Sequence, residues 1–329
     1  MRPAFTRTDA NVRADDAALA HVEHVLLVFL DGVGIGVRDA RRNPFFAAPL
    51  PFLREALGTL PSLRNREVDG PLALCIPADA RLGVAGLPQS GTGQTSLYTG
   101  SNAARLIGRH FGPYVYSSLK PVIEEHSIFR QLKHAGVPDA KLALANAFPQ
   151  RFFDYLEGPR RRMVAGMMMA LHERVRFRTI EALHRGDAVS TDITAARWRE
   201  IGHPDAPVVT PFEAGRNLAR ITMRNRFTLF EYFQTDLVGH ERDHAAAAHV
   251  LWDVDALLRG AVTHVDLDRT LIIVTSDHGN LEDLATKTHT RNPVPVLIFG
   301  TARHAAARSI TSISHLTPAI RRFLARTSY

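Results

Sequence analysis

Carboxylate and imidazole side chains gather in short motifs within the C-terminal third of the chain. Asp236 and His240 are separated by three residues, Asp277 and His278 are adjacent, and His289 follows shortly afterwards. Carboxylate oxygens and imidazole nitrogens together suit Mn, Zn and similar divalent ions. The set has enough members for two ions, and two ions side by side form a clamp for phosphoryl transfer. The sequence therefore predicts a two-metal site that acts on a phosphate compound.

A second motif supplies hydroxyl groups. The segment 86–100 reads GLPQSGTGQTSLYTG and leads into a predicted helix, whose N-terminus favours an anion. Ser90 or Thr92 could serve there as a nucleophile once a metal lowers its pKa. A P-loop would place lysine after Gly91, but Thr92 stands there, so the phosphate-cradling lysine is missing.

A third motif places Asp31 before three alternating glycines, Gly32, Gly34 and Gly36. This spacing differs from the Gly-x-Gly-x-x-Gly fingerprint of dinucleotide-binding loops. We therefore predict that Asp31 is a metal ligand and that the glycines let the chain turn beneath it.

The elements that must position these side chains are short apolar runs alternating with helical patterns. Buried parallel strands are predicted at 25–30, 142–145, 228–233, 271–275 and 294–299, and helices at 245–262 and 316–324. This alternation predicts an α/β fold with a doubly wound, mostly parallel sheet. Asp31, Asp236 and Asp277 each follow a predicted strand end, and ligands gather at the carboxyl ends of strands in such sheets.

The middle of the chain has a different character. Residues 105–224 are rich in Arg and His and mostly helical in pattern, which predicts an inserted helical cap that binds substrate. The metal-binding α/β core would then consist of residues 1–104 and 225–329. Arg105, Arg109 and Arg151 are candidate substrate clamps because they flank the hydroxyl-rich loop or a strand end; ordinary surface arginines are the alternative.

The overall composition limits the classes of protein that the chain fits. The chain has 329 residues, of which 45% are apolar and 22% charged, as in globular proteins. No apolar run reaches membrane-spanning length, residues 1–24 lack the apolar stretch of a signal peptide, and Cys75 is the single cysteine. We expect a cytoplasmic protein with no membrane partner.

The net charge of +7 comes mostly from arginine. It reflects either a compositional bias or an anionic substrate met by guanidinium groups. The basic residues are scattered rather than aligned in one stripe with aromatics, so we expect no nucleic-acid partner. The sequence gives no prediction of the oligomeric state.

Taken in chain order, these motifs resemble those of the alkaline phosphatase superfamily. The resemblance rests on Leu30-Asp31-Gly32, the hydroxyl-rich loop, Asp236-x3-His240, Asp277-His278-Gly279-Asn280 and the segment 289–295. It is closer to the branch of cofactor-independent phosphoglycerate mutase and phosphopentomutase, and it covers about 1–100 and 226–300. The segment between them has no such match.

The resemblance implies a division of the ligands. One metal would be held by Asp236, His240 and His289, and the other by Asp31, Asp277, His278 and the nucleophile oxygen. The family pattern places a glycine three residues after the nucleophile, which points from Gly93 to Ser90; Thr92 is the alternative. The implied cofactors are two divalent ions, Mn or Zn, with Mg as a further candidate.

The implied activity is phosphoryl transfer on a small phosphate ester through a phosphoserine, by a phosphatase or a phosphomutase. Gly91 and Gln94 stand where the phosphoglycerate mutases have a charged residue and a histidine. Two alternatives stay open. One is hydrolysis of a phosphodiester, phosphonate or sulfate ester at the same site, and the other is a non-catalytic metal-binding or regulatory protein.

Overall fold

The structure is a computed structural model that describes residues 21–158 and 162–325. Nearly all of the expected N-terminal lead-in lies outside these residues. The described residues form nine strands, seven of them in one central sheet with the order β2-β3-β9-β8-β1-β7-β4. Their bounds are β1 His24–Leu30, β2 Val68–Asp69, β3 Ala73–Ala78, β4 Leu142–Leu144, β5 Asn146–Ala147, β6 Val189–Ser190, β7 Phe227–Tyr232, β8 Thr270–Thr275 and β9 Val294–Phe299.

The half of the sheet that carries Asp31, Asp236 and Asp277 is parallel. Strand β1 lies between β7 and β8 and pairs in parallel with both, and β4 continues this half beyond β7. Strands β7 and β8 are buried along their whole length, as expected when helices cover both faces of a parallel sheet. The prediction of an α/β fold with a doubly wound, mostly parallel sheet is confirmed.

The direction of β9 was predicted wrongly. The run 294–299 was expected to be parallel, but β9 is antiparallel to both β8 and β3. If β9 were parallel to β8, the chain would have to cross back from the carboxyl end of β8 to the amino end of the strands, usually through a helix. The connection 276–293 instead contains no helix and stays at the edge where β8 ends, so the chain returns in the opposite direction.

Fourteen α-helices lie in the described residues. Their bounds are α1 Pro51–Leu57, α2 Ser90–Thr99, α3 Ala103–Ile107, α4 Lys120–His126, α5 Ile128–His134, α6 Gln150–Glu157, α7 Ala165–His172, α8 Ile180–His184, α9 Ala196–Glu200, α10 Pro211–Arg224, α11 Gln234–Glu241, α12 His244–Val262, α13 Arg303–Ala307 and α14 Leu316–Leu324. Helices α2, α4, α5, α7 and α14 pack in the apolar core on one face of the sheet. Helices α1, α10 and α12 pack in the core on the other face.

Helix α12 shows how sequence sets an element. The Asp243 side chain accepts hydrogen bonds from the backbone N–H groups of Ala245 and Ala246, which caps the first turn. Val250, Val254 and Leu258 then recur at helical spacing and are buried against the sheet. No helix within the described ranges combines the length and apolarity needed to cross a bilayer.

The segment 105–224 contributes to the central sheet as well as to its surroundings. It supplies β4, which pairs with β7, and α10, which packs against α12. It also contains the separate two-stranded sheet of β5 and β6 and a small apolar cluster around Trp198. The division into a core and an inserted cap stays a prediction, and β4 and α10 show that parts of the segment lie within the main layers.

Candidate metal centre

Three strand ends and one strand start deliver the predicted ligands to one edge of the sheet. Asp31 directly follows β1, and its backbone N–H donates to the Tyr232 carbonyl at the end of β7. Asp236 lies in the first turn of α11, just after β7, and Asp277 follows β8. Because β9 is antiparallel to β8, its start lies at the same edge, and His289 precedes it there.

Helix α2 carries the hydroxyl-rich motif and is buried along its whole length. Two of its buried hydroxyls find hydrogen-bond partners within the helix. Thr95 Oγ1 donates to the Gly91 carbonyl, and Ser96 Oγ donates to the Thr92 carbonyl. Gln94 Nε2 donates to Asp31 Oδ2 over 3.4 Å, which ties the helix to the loop after β1. A helix rich in serine and threonine can therefore lie in the core and place its first residue, Ser90, at the sheet edge.

One group of side chains surrounds the ring nitrogen His278 Nε2. Ser90 Oγ lies 3.0 Å from it, Asp31 Oδ1 3.3 Å and Asp277 Oδ2 3.7 Å. Asp277 and His278 are fully buried, and Asp31 and Ser90 are nearly so. We refer to Asp31, Ser90, Asp277 and His278 as the inner group.

A second group lies beside it and is more open to solvent. His240 Nε2 lies 3.3 Å from Asp236 Oδ2 and 3.1 Å from His289 Nε2, which is 3.7 Å from Asp236 Oδ1. The His289 and His278 rings stack with centroids 3.8 Å apart, so the two groups are in contact. We refer to Asp236, His240 and His289 as the outer group. All seven side chains thus meet at one edge; their roles as ligands stay a prediction.

Buried oxygens without partners test whether these residues suit cations. Asp31 Oδ1 and Asp277 Oδ2 are buried and accept no hydrogen bond from the described residues; both face His278 Nε2, at 3.3 and 3.7 Å. A buried carboxylate oxygen without a hydrogen bond is costly, and a metal ion is one of the few partners that offset the cost. Asp31, Asp277 and His278 can direct ligand atoms at one point, as can Asp236, His278 and His289. The donor set fits divalent metals, although His278 can join either set here.

The charges of the groups follow from burial and mutual contact in the metal-free chain. Burial raises the pKa of Asp31 and of Asp277, and their mutual repulsion adds to the effect at Asp277. Burial alone would lower the pKa of His278, but the Asp277 and Asp31 carboxylates outweigh it and raise that pKa to about 10. Burial, together with the charge of His278, lowers the pKa of His289 to about 4. A cation at this edge would relieve the repulsion between the carboxylates.

Backbone contacts fix the ligand loops against the hydroxyl-rich loop. His289 Nδ1 lies 2.7 Å from the Pro88 carbonyl oxygen, and Arg291 Nε donates to the Gly86 carbonyl over 3.2 Å. The Pro88 contact leaves His289 Nε2 to face Asp236 and His240, which is how a ligand histidine is commonly oriented.

Glu282 is a site residue that the sequence reasoning missed. It is fully buried, and its Oε2 accepts from the backbone N–H groups of Gly34 and Asn280 over 2.9 and 2.8 Å. Its Oε1 accepts from Thr290 Oγ1 and from Asn292 Nδ2. Glu282 therefore joins the loop after β1 to both halves of the connection 276–293. A carboxylate shortly after His278 was the available signal, but the adjacent Asp283 had the same signal and instead pairs with Arg42 near the surface.

Glu231 is the second residue that was missed. It lies one residue before the end of β7, is buried, and accepts a hydrogen bond from the Tyr98 hydroxyl over 2.7 Å. Burial is the largest cause of its pKa being raised to about 7. A lone glutamate inside an apolar strand was a visible signal, because such a residue must find a buried partner.

The alternative nucleophile and the candidate clamps occupy different surroundings. Thr92 Oγ1 lies within hydrogen-bonding distance of the Gln89 and Phe111 carbonyls and accepts from the Phe111 N–H. Arg109 lies over the Tyr116 ring, 5.4 Å from its centroid, on the segment that packs against the start of α2. Arg105 and Arg151 are exposed on α3 and α6. Within the described residues, neither side chain forms a hydrogen bond or ion pair with the seven ligand candidates. The clamp role of all three arginines stays a prediction.

Known proteins resemble this chain in sequence and in fold. Residues 214–321 match the model of the family described as the metalloenzyme superfamily. The matched segment contains the outer group and the Asp277-His278 pair, whereas Asp31 and Ser90 lie before it. The predicted resemblance is confirmed. The chain resembles the metalloenzymes of the alkaline phosphatase superfamily and, over part of its length, cofactor-independent phosphoglycerate mutases.

Two relatives illustrate how far the likeness extends. A 2,3-bisphosphoglycerate-independent phosphoglycerate mutase of Dinoroseobacter shibae is 31% identical over 114 residues, covering 30% of this chain and 23% of the relative. The enzyme of the same name from Desulforudis audaxviator is 35% identical over 100 residues, covering 28% of this chain and 19% of the relative. The matches thus span about a fifth of the length of these relatives.

Solved structures support the fold over nearly the whole chain. A protein from Pyrococcus horikoshii aligns with a TM-score of 0.55 at 13% identity, covering 94% of this chain and 99% of its own. A cold-active alkaline phosphatase from Shewanella sp. aligns with a TM-score of 0.51 at 11% identity, covering 92% and 100%. At these identities the likeness establishes the α/β fold.

Proposed function

We propose that this protein is a two-metal phosphoryl-transfer enzyme, a phosphatase or phosphomutase, that acts on a small phosphate ester through a phosphoserine at Ser90. One observation carries the proposal. Ser90 Oγ lies 3.0 Å from His278 Nε2, where the inner group meets the outer group through the stacked His278 and His289 rings. A nucleophile within reach of two carboxylate–imidazole sets is the arrangement that two-metal phosphoryl transfer requires.

The inner group would hold one ion and the outer group the other. Bound divalent ions would lower the pKa of a hydroxyl and offset charge on the phosphoryl oxygens, and Mn, Zn and Mg are the candidates. Asp31 and Asp277 support the inner ion, because each has a buried oxygen that accepts no hydrogen bond from the described residues.

The chain's own residues orient the reaction. Ser90 begins α2, so its hydroxyl lies beside backbone N–H groups at a helix N-terminus, which favour a phosphate. Its oxygen forms the new bond to phosphorus while the bond from phosphorus to the ester oxygen breaks, and the alcohol leaves with a proton. A phosphatase would then pass the phosphoryl group from Ser90 to water, and a mutase would pass it to another hydroxyl of the same substrate.

Local hydrogen bonding favours Ser90 over Thr92 as the nucleophile. The Thr92 hydroxyl lies between the Gln89 and Phe111 backbone groups and is fully buried. The Ser90 hydroxyl instead faces the imidazole and the carboxylates of the inner group. We also propose that Arg109 contacts the substrate phosphate, because it lies on the segment packed against the start of α2.

The proposal is tested by assaying an aryl phosphate, an aryl phosphodiester and an aryl sulfate with Mn, Zn or Mg. We expect monoester turnover that falls by a factor of about a thousand or more in Ser90→Ala. Ser101→Ala is the matched control, because Ser101 lies just beyond the same helix and outside both ligand groups. Turnover of only the diester or the sulfate would replace the phosphate monoester with the alternative ester class.

A covalent trap identifies the nucleophile. Acid quenching after incubation with substrate, followed by peptide mapping, should place the phosphoryl group on Ser90. Phosphorylation of Thr92, or undiminished monoester turnover in Ser90→Ala, would contradict the assigned nucleophile. Absence of any ester cleavage with all three metals would favour the non-catalytic metal-binding protein.

A further inference from the structure

Four arginines line a pocket remote from the metal centre. The pocket has a volume of about 170 Å³. The four are Arg176, Arg178, Arg185 and Arg224, and Asp187 and Asn225 also line the pocket. Asn225 lies just before β7, whereas Asp236 lies just after it, so the pocket and the outer group are separated by the length of that strand. Six extended residues span about 20 Å.

The positive charge of this pocket is only partly compensated. Asp187 is the single acidic lining residue, and it is shared by two arginines. Its Oδ1 lies 2.9 Å from Arg224 Nη1, and its Oδ2 lies 3.7 Å from Arg185 Nε. Arg176 has no ion-pair partner among the described residues. Lys141 adds a further cation nearby, since its Nζ donates to the Arg224 carbonyl.

Hydrogen bonds from arginine side chains to backbone carbonyls hold the arginine pocket in place. Arg178 is partly buried, and its guanidinium donates to the backbone carbonyls of Asp187 and Leu144. Arg220 donates to the carbonyls of Arg185 and Gly186, which fixes the turn between α8 and Asp187. Burial, with repulsion from Arg176 as the next cause, lowers the pKa of Arg178. The protein therefore holds like charges together at a cost that an anion would offset.

We propose that the arginine pocket binds a small phosphate-type anion at a site separate from the metal centre. Guanidinium groups bind phosphate oxygens through paired hydrogen bonds, and four of them line one small cavity. The lining contains no aromatic side chain on which a nucleic-acid base could stack, which favours a small anion over single-stranded nucleic acid.

The test is binding of inorganic phosphate to the metal-loaded, full-length protein and to Asp236→Asn, measured by equilibrium dialysis at fixed ionic strength. We expect a phosphate site that persists in Asp236→Asn. Arg176→Ala should weaken this site about fivefold or more, while Asp187→Asn should strengthen it, because the competing carboxylate charge is removed. Arg176→Ala removes one positive charge, and Asp187→Asn removes one negative charge. Because Arg176 is exposed, its replacement leaves the core intact.

The matched control is Arg64→Ala, which removes the same charge from an exposed arginine outside the pocket. If Arg64→Ala and Arg176→Ala weaken phosphate binding equally, the effect comes from the overall charge of the protein, and the proposal is overturned. Loss of all phosphate binding in Asp236→Asn would assign the anion to the metal centre alone, and this too would overturn it. Failure of the proposed phosphoryl transfer would leave these binding results unchanged, so the two proposals are tested separately.

Discussion

Glu282 shows how a buried carboxylate can organise a metal centre without belonging to either ligand group. Its two oxygens accept hydrogen bonds from Gly34, Asn280, Thr290 and Asn292. These donors lie in the loops that carry Asp31, His278 and His289. Glu282 therefore sets the relative position of ligands that are far apart in sequence.

Replacing Glu282 by glutamine should weaken both the fold and metal binding. The amide removes the charge from four buried hydrogen bonds and places an NH2 group against donors, which should cost about 1–3 kcal/mol in the free energy of unfolding. Urea denaturation and Mn titration measure the two effects. Glu241→Gln is the matched control at an exposed glutamate. If both variants bind Mn as the unmodified protein does, Glu282 does not position the ligand loops.

Glu231 should give the metal-free protein a characteristic pH dependence. Its pKa is about 7 in the folded chain and 4.5 as a free side chain, so the folded state binds the proton more tightly. The contribution of the protonated Glu231 carboxyl to the free energy of unfolding is fully present below pH 4.5 and is lost as pH rises through about 7. The loss should amount to about 3 kcal/mol.

The measurement is urea denaturation of chelator-treated protein at about pH 5 and about pH 8, compared with Glu231→Gln. Glutamine does not titrate and still offers an oxygen to the Tyr98 hydroxyl. The variant should therefore lose less stability between the two conditions than the unmodified protein. An equal loss in both would show that Glu231 does not titrate in this range.

The sequence was informative about residues whose chemistry is visible in their type and spacing. Asp236 and His240 are one helical turn apart, so they share a face, and the predicted strand ends place Asp31 and Asp277 at a common edge. Glu282 and Asp283 show the limit of such reasoning. They are adjacent carboxylates in one loop, and only tertiary packing makes one a buried acceptor and the other a surface ion-pair partner.

At the scale of elements, the turn after β1 must approach the first turn of α11 very closely. Gly32 has a positive φ of 70°, and a Cβ atom there would lie 2.4 Å from Asp236 Oδ1. Glycine is therefore required both by the backbone conformation and by the contact. This approach brings the inner and outer groups together.

Gly32→Ala should destabilise the fold and displace Asp236. Gly108→Ala is a matched control, because Gly108 has a φ of 74° in the left-handed region and nothing lies within 4 Å of its added Cβ. Both variants should lose about 1 kcal/mol from backbone strain. Only Gly32→Ala should lose more than this and bind Mn weakly. Equal effects of the two substitutions on unfolding and Mn titrations would contradict the close-approach argument.

The direction of β9 was not predictable from its own residues. The run 294–299 is apolar and buried whether a strand is parallel or antiparallel, so periodicity does not distinguish the two. The information lies in the preceding connection, because residues 276–293 contain no helix to carry the chain to the opposite edge. The same antiparallel return brings His289 to the ligand edge.

At the scale of the whole molecule, the α/β class was predictable from the alternation of apolar strands and helical patterns. A strand at 142–145 was predicted, but its place in the central sheet was not, because its partner β7 lies far along the chain. The arginine pocket was equally hidden. Its lining residues come from 176–187 and 221–225, and only the fold shows that four scattered arginines share one cavity.

The central claim is that two carboxylate–imidazole groups hold a pair of ions beside Ser90. Equilibrium dialysis against Mn, followed by elemental analysis of the protein, tests it most directly. We predict two Mn ions per chain in the unmodified protein and about one in Asp236→Asn, because that substitution impairs the outer group alone. Binding of a single ion or none by the unmodified protein, or an undiminished count in Asp236→Asn, would contradict the account.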